Sequence, residues 1–377
     1  RAVLPRELSF DEIKYLCEHS PIDLEVFIHG ALCMCVSVNS MAQKFFGANH
    51  QHISYIGRVS LSDDGAAFSF PGVQVRTVFS GTEISMVAKP NSGFFMVEID
   101  NQTPYKIECP QKDSICKIAE NLTHGEHYLT LTYAIEGLDH NPVFKGFLLP
   151  DNGSLTKCQR LPNRKIEFIG NSITCGYGVE GENENCPFEY STENQYYGYA
   201  AITARELDAQ CFVVARSGIG VYRNYNGNLK GDQMTMPDVY PYTQFGGKGE
   251  KWNFENYRPD VVCINLGTND TSTEPYDTKL LYKRYKKFYE TVRSHYPSAQ
   301  IVLLSGPMLA KEGKALTDLK NTLDRVKQES KDARLHRFDF TPEDGSMGYG
   351  CDYHPSLKRQ AYMAAELTEF LRELMAW

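Results

Sequence analysis

Hydrophobic and polar residues alternate in short runs along the first part of the chain. Between residues 53 and 149 these runs are separated by Gly, Asn, Asp and Pro. The clearest runs are residues 73–79, 83–88, 93–99 and 127–133. Short strands at regular spacing with turn residues between them are typical of a β-sandwich. We therefore predict a sandwich domain over residues 1–150.

Residues 1–50 have the weakest pattern of the chain. Residues 10–17 have a helical pattern, and only adjacency assigns this segment to the first domain, as a helical extension at its amino terminus.

The pattern changes after a segment rich in Pro, Asp, Asn and Gly, which ends near Pro162. From there, aliphatic and β-branched runs alternate with helical patterns. The predicted strands are residues 166–169, 211–214, 261–264, 301–304 and 335–340. The predicted helices are residues 199–207, 280–295, 316–329 and 357–375. Alternation of this kind predicts a parallel sheet with helices on both faces, a three-layer α/β/α domain over residues 163–377.

Two long inserts interrupt this second domain, at residues 179–195 and 222–252. Long loops in a compact domain are usually functional. The second insert is rich in aromatic residues among Gly, Asn and Pro. They are Tyr222, Tyr225, Tyr240, Tyr242 and Trp252. Aromatic rings beside polar side chains suit a sugar-binding cleft, although part of this group is expected to pack the loop itself.

Composition limits the classes of partner. The chain has 377 residues, 42% of them hydrophobic and 23% charged, which is ordinary for a globular protein with two cores. Its net charge of −8, without a basic block that contains aromatics, predicts no nucleic-acid or anionic-membrane partner. No apolar run approaches the roughly 18 residues of a membrane-spanning helix. Because the first residues are too acidic for a signal peptide, we expect a cytoplasmic protein, or one whose leader was removed.

The 11 cysteines favour the same compartment, because several lie in apolar runs where a reduced thiol behaves as a small hydrophobe. These are Cys33, Cys35, Cys211 and Cys263. The Cys33-x-Cys35 pair has no partner pair with metal-site spacing, so buried strand residues are the favoured interpretation. We expect neither a metal nor a cofactor.

Four segments carry candidate chemistry, and three of them follow apolar runs. They place Ser172, Gly218 and Asn269 just after predicted strands, and His354 just before the last predicted helix. Each segment has an ordinary explanation as a turn or a helix cap. Together they would lie at the carboxyl edge of a parallel sheet, where such folds place their active sites.

These residue types match the needs of a serine hydrolase. Ser172 requires a base, which His354 can supply, and Asp352 can orient the imidazole. If the two-residue spacing turns the carboxylate away, a backbone carbonyl could orient His354 instead. The amides of Ser172 and Gly218 and the side-chain nitrogen of Asn269 can form an oxyanion hole. The Gly-x-Ser-x-Gly elbow, a phosphate-binding Walker loop and a His-Glu-x-x-His zinc helix are absent from the sequence.

In this order, Ser172, Gly218, Asn269 and His354 resemble the four signature blocks of SGNH (GDSL) hydrolases. The chain is most similar to carbohydrate esterase family 2, which joins a jelly-roll β-sandwich to an SGNH domain. The segments that carry the similarity in the first domain are residues 57–58, 70–72, 79–82, 98–100, 125–127 and 144–147. The resemblance covers residues 55–377 and implies the same two-domain fold.

The resemblance also implies a function. Family 2 enzymes are serine esterases that remove O-acetyl groups from plant polysaccharides or oligosaccharides, such as acetylated xylan, through an acetyl-enzyme and without a metal. Tyr353 and Tyr225 would then be aromatic walls against the sugar ring. Most SGNH enzymes place the aspartate three residues before the histidine, where this chain has Cys351; here Asp352 is two residues before it, a spacing that the family 2 branch allows.

Two alternatives stay open at this point. Another SGNH activity, such as lysophospholipase or thioesterase, would need a long acyl slot lined with Leu, Ile and Phe, whereas the loops here are rich in Tyr and Asn. A carbohydrate-binding protein with a vestigial esterase would not need the full set of catalytic residues. The sequence leaves open whether the chain forms a homo-oligomer.

Overall fold

The computed structural model describes residues 43–100, 102–157 and 161–377, together with three short strands before them. These strands, β1 (Ala2–Val3), β2 (Leu24–Val26) and β3 (Val36–Ser37), form a small sheet of their own. The predicted helical segment 10–17 and the Cys33-x-Cys35 pair lie outside the described residues.

The first domain is a sandwich of two six-stranded antiparallel sheets, as the sequence predicts. The strands are β4 (Gln43–Gly47), β5 (Ser54–Ile56), β6 (Ser60–Ser62), β7 (Gly65–Ala67), β8 (Gln74–Ser80), β9 (Ile84–Ala88), β10 (Gly93–Ile99), β11 (Tyr105–Cys109), β12 (Ile115–Ala119), β13 (Glu126–Tyr133), β14 (Val143–Pro150) and β15 (Ser154–Thr156). One sheet has the order β11-β10-β13-β8-β15, with β5 also paired to β8; the other has the order β12-β9-β14-β7-β6, with β4 paired to β14. The last strand lies beyond residue 150, the predicted end of the domain, because it pairs back onto β8.

Alternating burial along β13 shows why these segments form a sandwich. In Glu126–Tyr133 the side chains at its start alternate between solvent and core, and the strand is buried throughout towards its end. Its last residue, Tyr133, packs edge-on against Phe68 in the core, with ring centroids 5.2 Å apart.

The second domain is a five-stranded parallel sheet with helices on both faces, which confirms the predicted three-layer architecture. The strands are β16 (Arg164–Gly170), β17 (Ala209–Ala215), β18 (Val261–Asn265), β19 (Gln300–Ser305) and β20 (Leu335–Asp339). Their order in the sheet is β17-β16-β18-β19-β20. The helices are α1 (Ser172–Cys175), α2 (Tyr199–Glu206), α3 (Met236–Val239), α4 (Thr268–Thr271), α5 (Thr278–His295), α6 (Lys314–Ser330) and α7 (Leu357–Met375).

The two faces of this sheet are covered by different helices. Apolar residues of α5 and α6 pack on one face, and those of α2 and α7 pack on the other. None of the helices within the described residues is long and apolar enough to cross a membrane.

The register of the parallel strands positions the site. Gly170, at the end of β16, is paired with Ala215 of β17 on one side and with Asn265 of β18 on the other. The three strands therefore end at the same level, and the loops that follow them are neighbours.

A buried arginine joins the two domains. Arg58 of the sandwich is fully buried, and its guanidinium donates to the carbonyl oxygens of Tyr240 and, at 2.8 Å, Tyr242. It lies 3.5 Å from the carboxylate of Glu167 on β16 and 4.7 Å from the ring centroid of Tyr240. Burial raises the pKa of Glu167, and the charge of Arg58 opposes this shift.

This packing changes the interpretation of the second insert. Tyr222, Tyr240 and Trp252 are buried, so they belong to the core rather than to a cleft. Tyr225 is 56% exposed.

Two cysteine pairs form disulfide bonds, Cys109–Cys116 and Cys186–Cys351. Cys211 and Cys263 are free and buried, as predicted, and so is Cys175. Disulfide bonds persist mainly in oxidising environments. The cytoplasmic location stays a prediction, and the paired cysteines do not support it.

Candidate active site

Ser172 is presented by a turn that only glycine permits. A Cβ atom at Gly170 would lie 2.0 Å from the hydroxyl oxygen of Thr174, so the chain could not fold back there with a larger residue. Asn171 then caps α1, because its side-chain oxygen accepts a hydrogen bond from the amide of Ile173 at 3.1 Å. Ser172 is thereby the first residue of a helix at the carboxyl edge of the sheet.

His354 meets Ser172 across the site. The distance from His354 Nε2 to Ser172 Oγ is 2.9 Å, which is within hydrogen-bond reach. The loop before the histidine is tightly wound, because Asp352 and Tyr353 both have left-handed backbone angles, with φ of 51° and 59°. Such conformations in residues other than glycine are costly and cluster at functional sites.

The predicted role of the Asp352 carboxylate is not what the structure shows. His354 Nδ1 lies 3.1 Å from the backbone carbonyl oxygen of Asp352 and 3.2 Å from that of Cys351. The carboxylate instead accepts a hydrogen bond from the hydroxyl of Tyr177 at 2.6 Å, because the left-handed turn directs the side chain away from the imidazole. The backbone carbonyls thus orient the ring, which was the alternative.

Both carbonyls are acceptors, so they require the hydrogen of neutral His354 to be on Nδ1. Nε2 is then free to accept the proton of the Ser172 hydroxyl. Burial lowers the pKa of His354 to about 4, although the two carbonyls and the charge of Asp352 oppose this shift. The imidazole is therefore a neutral base over most of the pH range.

The three predicted oxyanion donors lie in the segments that directly follow β16, β17 and β18, whose ends are level. The amide of Ser172 is at the first position of α1, where it has no intrahelical acceptor. Gly218 has a φ of 71°, and a Cβ atom there would meet nothing within 4 Å, so its backbone borders open space. Asn269 donates one side-chain hydrogen to the carbonyl of Ile219 at 2.8 Å, and its second hydrogen stays available.

Asp270 organises the loop beyond Gly218, a role that no sequence pattern singled out. Its buried carboxylate accepts hydrogen bonds from the amides of Val221, Tyr222 and Arg223, at 2.8 to 3.2 Å. Burial raises the pKa of Asp270 to about 6, and these amides oppose the shift. In the sequence, this role is indicated only by the position of Asp270 directly after Asn269.

A buried carboxyl pair lies behind the Gly218 turn. The carboxylate of Glu136, from the sandwich, accepts a hydrogen bond from the amide of Ser217 at 2.7 Å. The carboxylate of Glu193 accepts one from the amide of Glu136 at 3.2 Å. Burial raises the pKa of both carboxyl groups, and the charge of Glu136 raises that of Glu193 further.

With Cys175, this pair forms the one group among the described residues whose ligand atoms lie close enough to hold a metal ion, all within 4.8 Å of one another. Because the carboxylate of Glu136 accepts a hydrogen bond from the amide of Ser217, these three residues support the turn at Gly218 in this arrangement.

The two tyrosines that were predicted to contact the sugar, Tyr353 and Tyr225, are exposed and lie at the rim of the candidate active site. Tyr353 directly precedes His354 and is 59% exposed, with its ring edge-on to Tyr349 at 5.4 Å. The amide of Tyr225 donates to the carbonyl of Gly218 at 2.8 Å, which places this exposed residue beside the oxyanion turn.

Comparison with known families matches this architecture. The family model described as Carbohydrate esterase 2 N-terminal matches residues 55–158, and that of the GDSL-like Lipase/Acylhydrolase family matches residues 168–362. The chain belongs to carbohydrate esterase family 2. Residues 1–53 of this family 2 chain match a different family model, Peptidase family U32.

Three relatives of this family 2 chain illustrate the similarity. Cellulase/esterase CelE of Acetivibrio thermocellus is 37% identical over 332 residues, which cover 86% of this chain and 40% of CelE. An acetylxylan esterase / glucomannan deacetylase of Cellvibrio japonicus is 29% identical over 337 residues, covering 88% of this chain and 91% of the relative. The solved structure of a family two carbohydrate esterase from Clostridium thermocellum in complex with cellohexaose is 36% identical, with a TM-score of 0.79 over 86% of this chain and 99% of that one. The chain therefore spans less than half the length of CelE.

Proposed function

We propose that this protein is a serine esterase that removes O-acetyl groups from acetylated plant polysaccharides or oligosaccharides such as xylan. The observation that carries the proposal is the 2.9 Å contact between Ser172 Oγ and His354 Nε2, in an imidazole whose Nδ1 faces two carbonyl oxygens. This arrangement prepares a serine to attack a carbonyl carbon.

In the first half of the reaction, Ser172 Oγ bonds to the acetyl carbon while its proton passes to His354 Nε2. The carbonyl oxygen becomes an oxyanion beside the donors of Ser172, Gly218 and Asn269. When the intermediate collapses, the bond between the acetyl carbon and the sugar oxygen breaks, and the leaving oxygen takes the proton from Nε2. The product of this half is an acetyl-enzyme and a free sugar hydroxyl.

In the second half, water replaces the sugar. Nε2 takes a proton from the attacking water, and the tetrahedral intermediate releases acetate while Ser172 Oγ regains its proton. Burial makes the transient imidazolium costly, and the carbonyls of Cys351 and Asp352 offset that cost by accepting the Nδ1 hydrogen.

An acetylated saccharide is the substrate class that the surroundings favour. Two exposed tyrosines, Tyr225 and Tyr353, border the site, and aromatic faces of this kind pack against sugar rings. The name of the Cellvibrio japonicus relative and the cellohexaose bound to the Clostridium thermocellum structure support the same class.

A substrate panel tests this proposal against the other activities. We expect acetate release from acetylated xylan or glucomannan, and turnover of chromogenic esters that falls steeply from acetyl to butyryl to octanoyl. A preference for octanoyl esters would instead indicate a lysophospholipase or thioesterase.

A labelling experiment tests whether the site is catalytic at all. A serine-directed organophosphate should modify one residue, Ser172, and should not modify Ser172→Ala. The same variant should lose about 10³-fold or more of kcat while it stays folded. An unlabelled wild-type protein without esterase activity would leave only a carbohydrate-binding role.

A further inference from the structure

We propose that Tyr177 is a positioning residue for His354, in a role that rests on the proposed esterase function. Its ring stacks on the imidazole, with centroids 4.0 Å apart and planes at 25°. Its hydroxyl donates to the carboxylate of Asp352 at 2.6 Å. The side chain of Tyr177 therefore contacts both the imidazole of His354 and the carboxylate of Asp352, which does not itself contact the imidazole.

The backbone ties Tyr177 to the nucleophile. The amide of Tyr177 donates to the carbonyl of Ser172 at 3.1 Å, directly after the left-handed Gly176 that ends α1. A Cβ atom at Gly176 would lie 2.4 Å from the carbonyl oxygen of Asn194, so this path of the chain depends on glycine. The segment that carries Ser172 thus also carries the ring that lies against its base.

The other face of Tyr177 is supported by the first insert. Phe188 stacks there with centroids 4.4 Å apart and planes at 26°, so three rings lie in one stack. Two residues earlier, Cys186 is bonded to Cys351, whose carbonyl accepts from His354 Nδ1. The insert therefore holds both the ring stack and the carbonyl that orients the imidazole.

The stacking of Tyr177 on His354 fixes the orientation of the imidazole, which is the role of the carboxylate in a catalytic triad. An imidazole held only through Nδ1 can still tilt about that contact, and tilting moves Nε2 away from Ser172 Oγ. The stacked ring of Tyr177 prevents that tilt. Its electron-rich face also favours the imidazolium that forms in the transition state.

The experiment compares Tyr177→Leu, which removes the ring, with Tyr177→Phe, which removes only the hydroxyl. With 4-nitrophenyl acetate we expect Tyr177→Leu to lose about 30- to 100-fold in kcat, because misplacement of the base by about 1 Å has an effect of that size. Its KM should stay within about twofold, and Tyr177→Phe should keep at least about a third of kcat. Tyr276→Leu is the matched control, because Tyr276 also donates to a carboxylate, Asp318 at 2.8 Å, but lies in the loop before α5.

Each other outcome overturns the positioning role. Wild-type kcat in Tyr177→Leu would show that the ring is dispensable. A rise in KM alone would show that Tyr177 contacts the substrate instead of positioning His354. Equal losses in Tyr177→Leu and Tyr276→Leu would reveal a general effect of deleting a tyrosine. If Tyr177→Leu does not fold, Tyr177→Met replaces it, since methionine fills the space without a ring.

Ser172→Ala separates this inference from the proposed function. If Ser172→Ala keeps its turnover, the serine esterase proposal is wrong. If Ser172→Ala is inactive and Tyr177→Leu is as active as wild type, only the positioning role fails.

Discussion

His354 Nδ1 lies 3.1 Å from the backbone carbonyl of Asp352, whereas the carboxylate of Asp352 is bonded to a tyrosine hydroxyl. The aspartate therefore contributes its backbone rather than its charge to the orientation of the imidazole. This distinction leads to a direct test, because a substitution of the side chain leaves the carbonyl in place.

Asp352→Asn should lose less than about tenfold in kcat, or roughly 1.4 kcal/mol of barrier. Asparagine offers Tyr177 an oxygen acceptor, and the two carbonyls still face Nδ1. Steady-state kinetics on an aryl acetate measure the effect. A loss near 10⁴-fold, the size expected when a triad aspartate is replaced, would mean that the carboxylate reaches the imidazole during turnover.

The pH dependence follows from the environment of His354. Burial disfavours the charged imidazole and lowers its pKa to about 4, so the neutral base persists in mild acid. We expect kcat/KM to rise through an apparent pKa of about 4 and to be level from about pH 5 upwards, since this parameter reports the free enzyme. An acid limb at 6.5 or above would show that His354 is well solvated.

Asn269→Ala should lose about 10² to 10³-fold in kcat with little change in KM, because an oxyanion donor acts mainly in the transition state. Its side chain also supports the Ile219 carbonyl, so the melting temperature is measured in parallel. If KM alone rises, Asn269 binds the ground-state substrate instead.

The strand ends were predictable from sequence because parallel strands bring their carboxyl ends to one edge, so Ser172, Gly218 and Asn269 could be placed together. The direction of the Asp352 side chain could not be predicted from sequence. It depends on the left-handed backbone of Asp352 and Tyr353, which the two-residue separation of Asp352 and His354 does not reveal. The contact of Tyr177 with His354 joins positions 177 residues apart, and no local periodicity encodes such a contact.

Glu136 provides a test of how the sandwich supports the oxyanion turn. Glu136→Ala removes the acceptor of the Ser217 amide and should lower kcat by about tenfold with KM nearly unchanged. Glu136→Gln keeps an oxygen acceptor and should stay close to wild type. Equal losses in the two variants would mean that the carboxyl group itself, rather than an oxygen acceptor for the Ser217 amide, matters at this position.

The rim tyrosines should distinguish substrates. Tyr353→Ala and Tyr225→Ala should reduce kcat/KM for acetylated xylo-oligosaccharides more than for 4-nitrophenyl acetate, because a stacking face helps only when a sugar ring is present. Tyr128→Ala is the control, since this tyrosine is also exposed, at 44%, but lies on β13 of the sandwich. Equal losses on both substrates would leave the rim residues as packing.

The buried Arg58 makes the two domains depend on each other for stability. Its charge is fully buried against groups of the second domain, and loss of one partner of such a pair costs about 3–5 kcal/mol. A sandwich cut from its partner would expose that arginine, and an isolated hydrolase domain would keep an unfilled slot lined by Tyr240 and Glu167. We therefore expect the sandwich and the hydrolase domain of this protein to be stable only together, and to be exchanged between proteins as one unit.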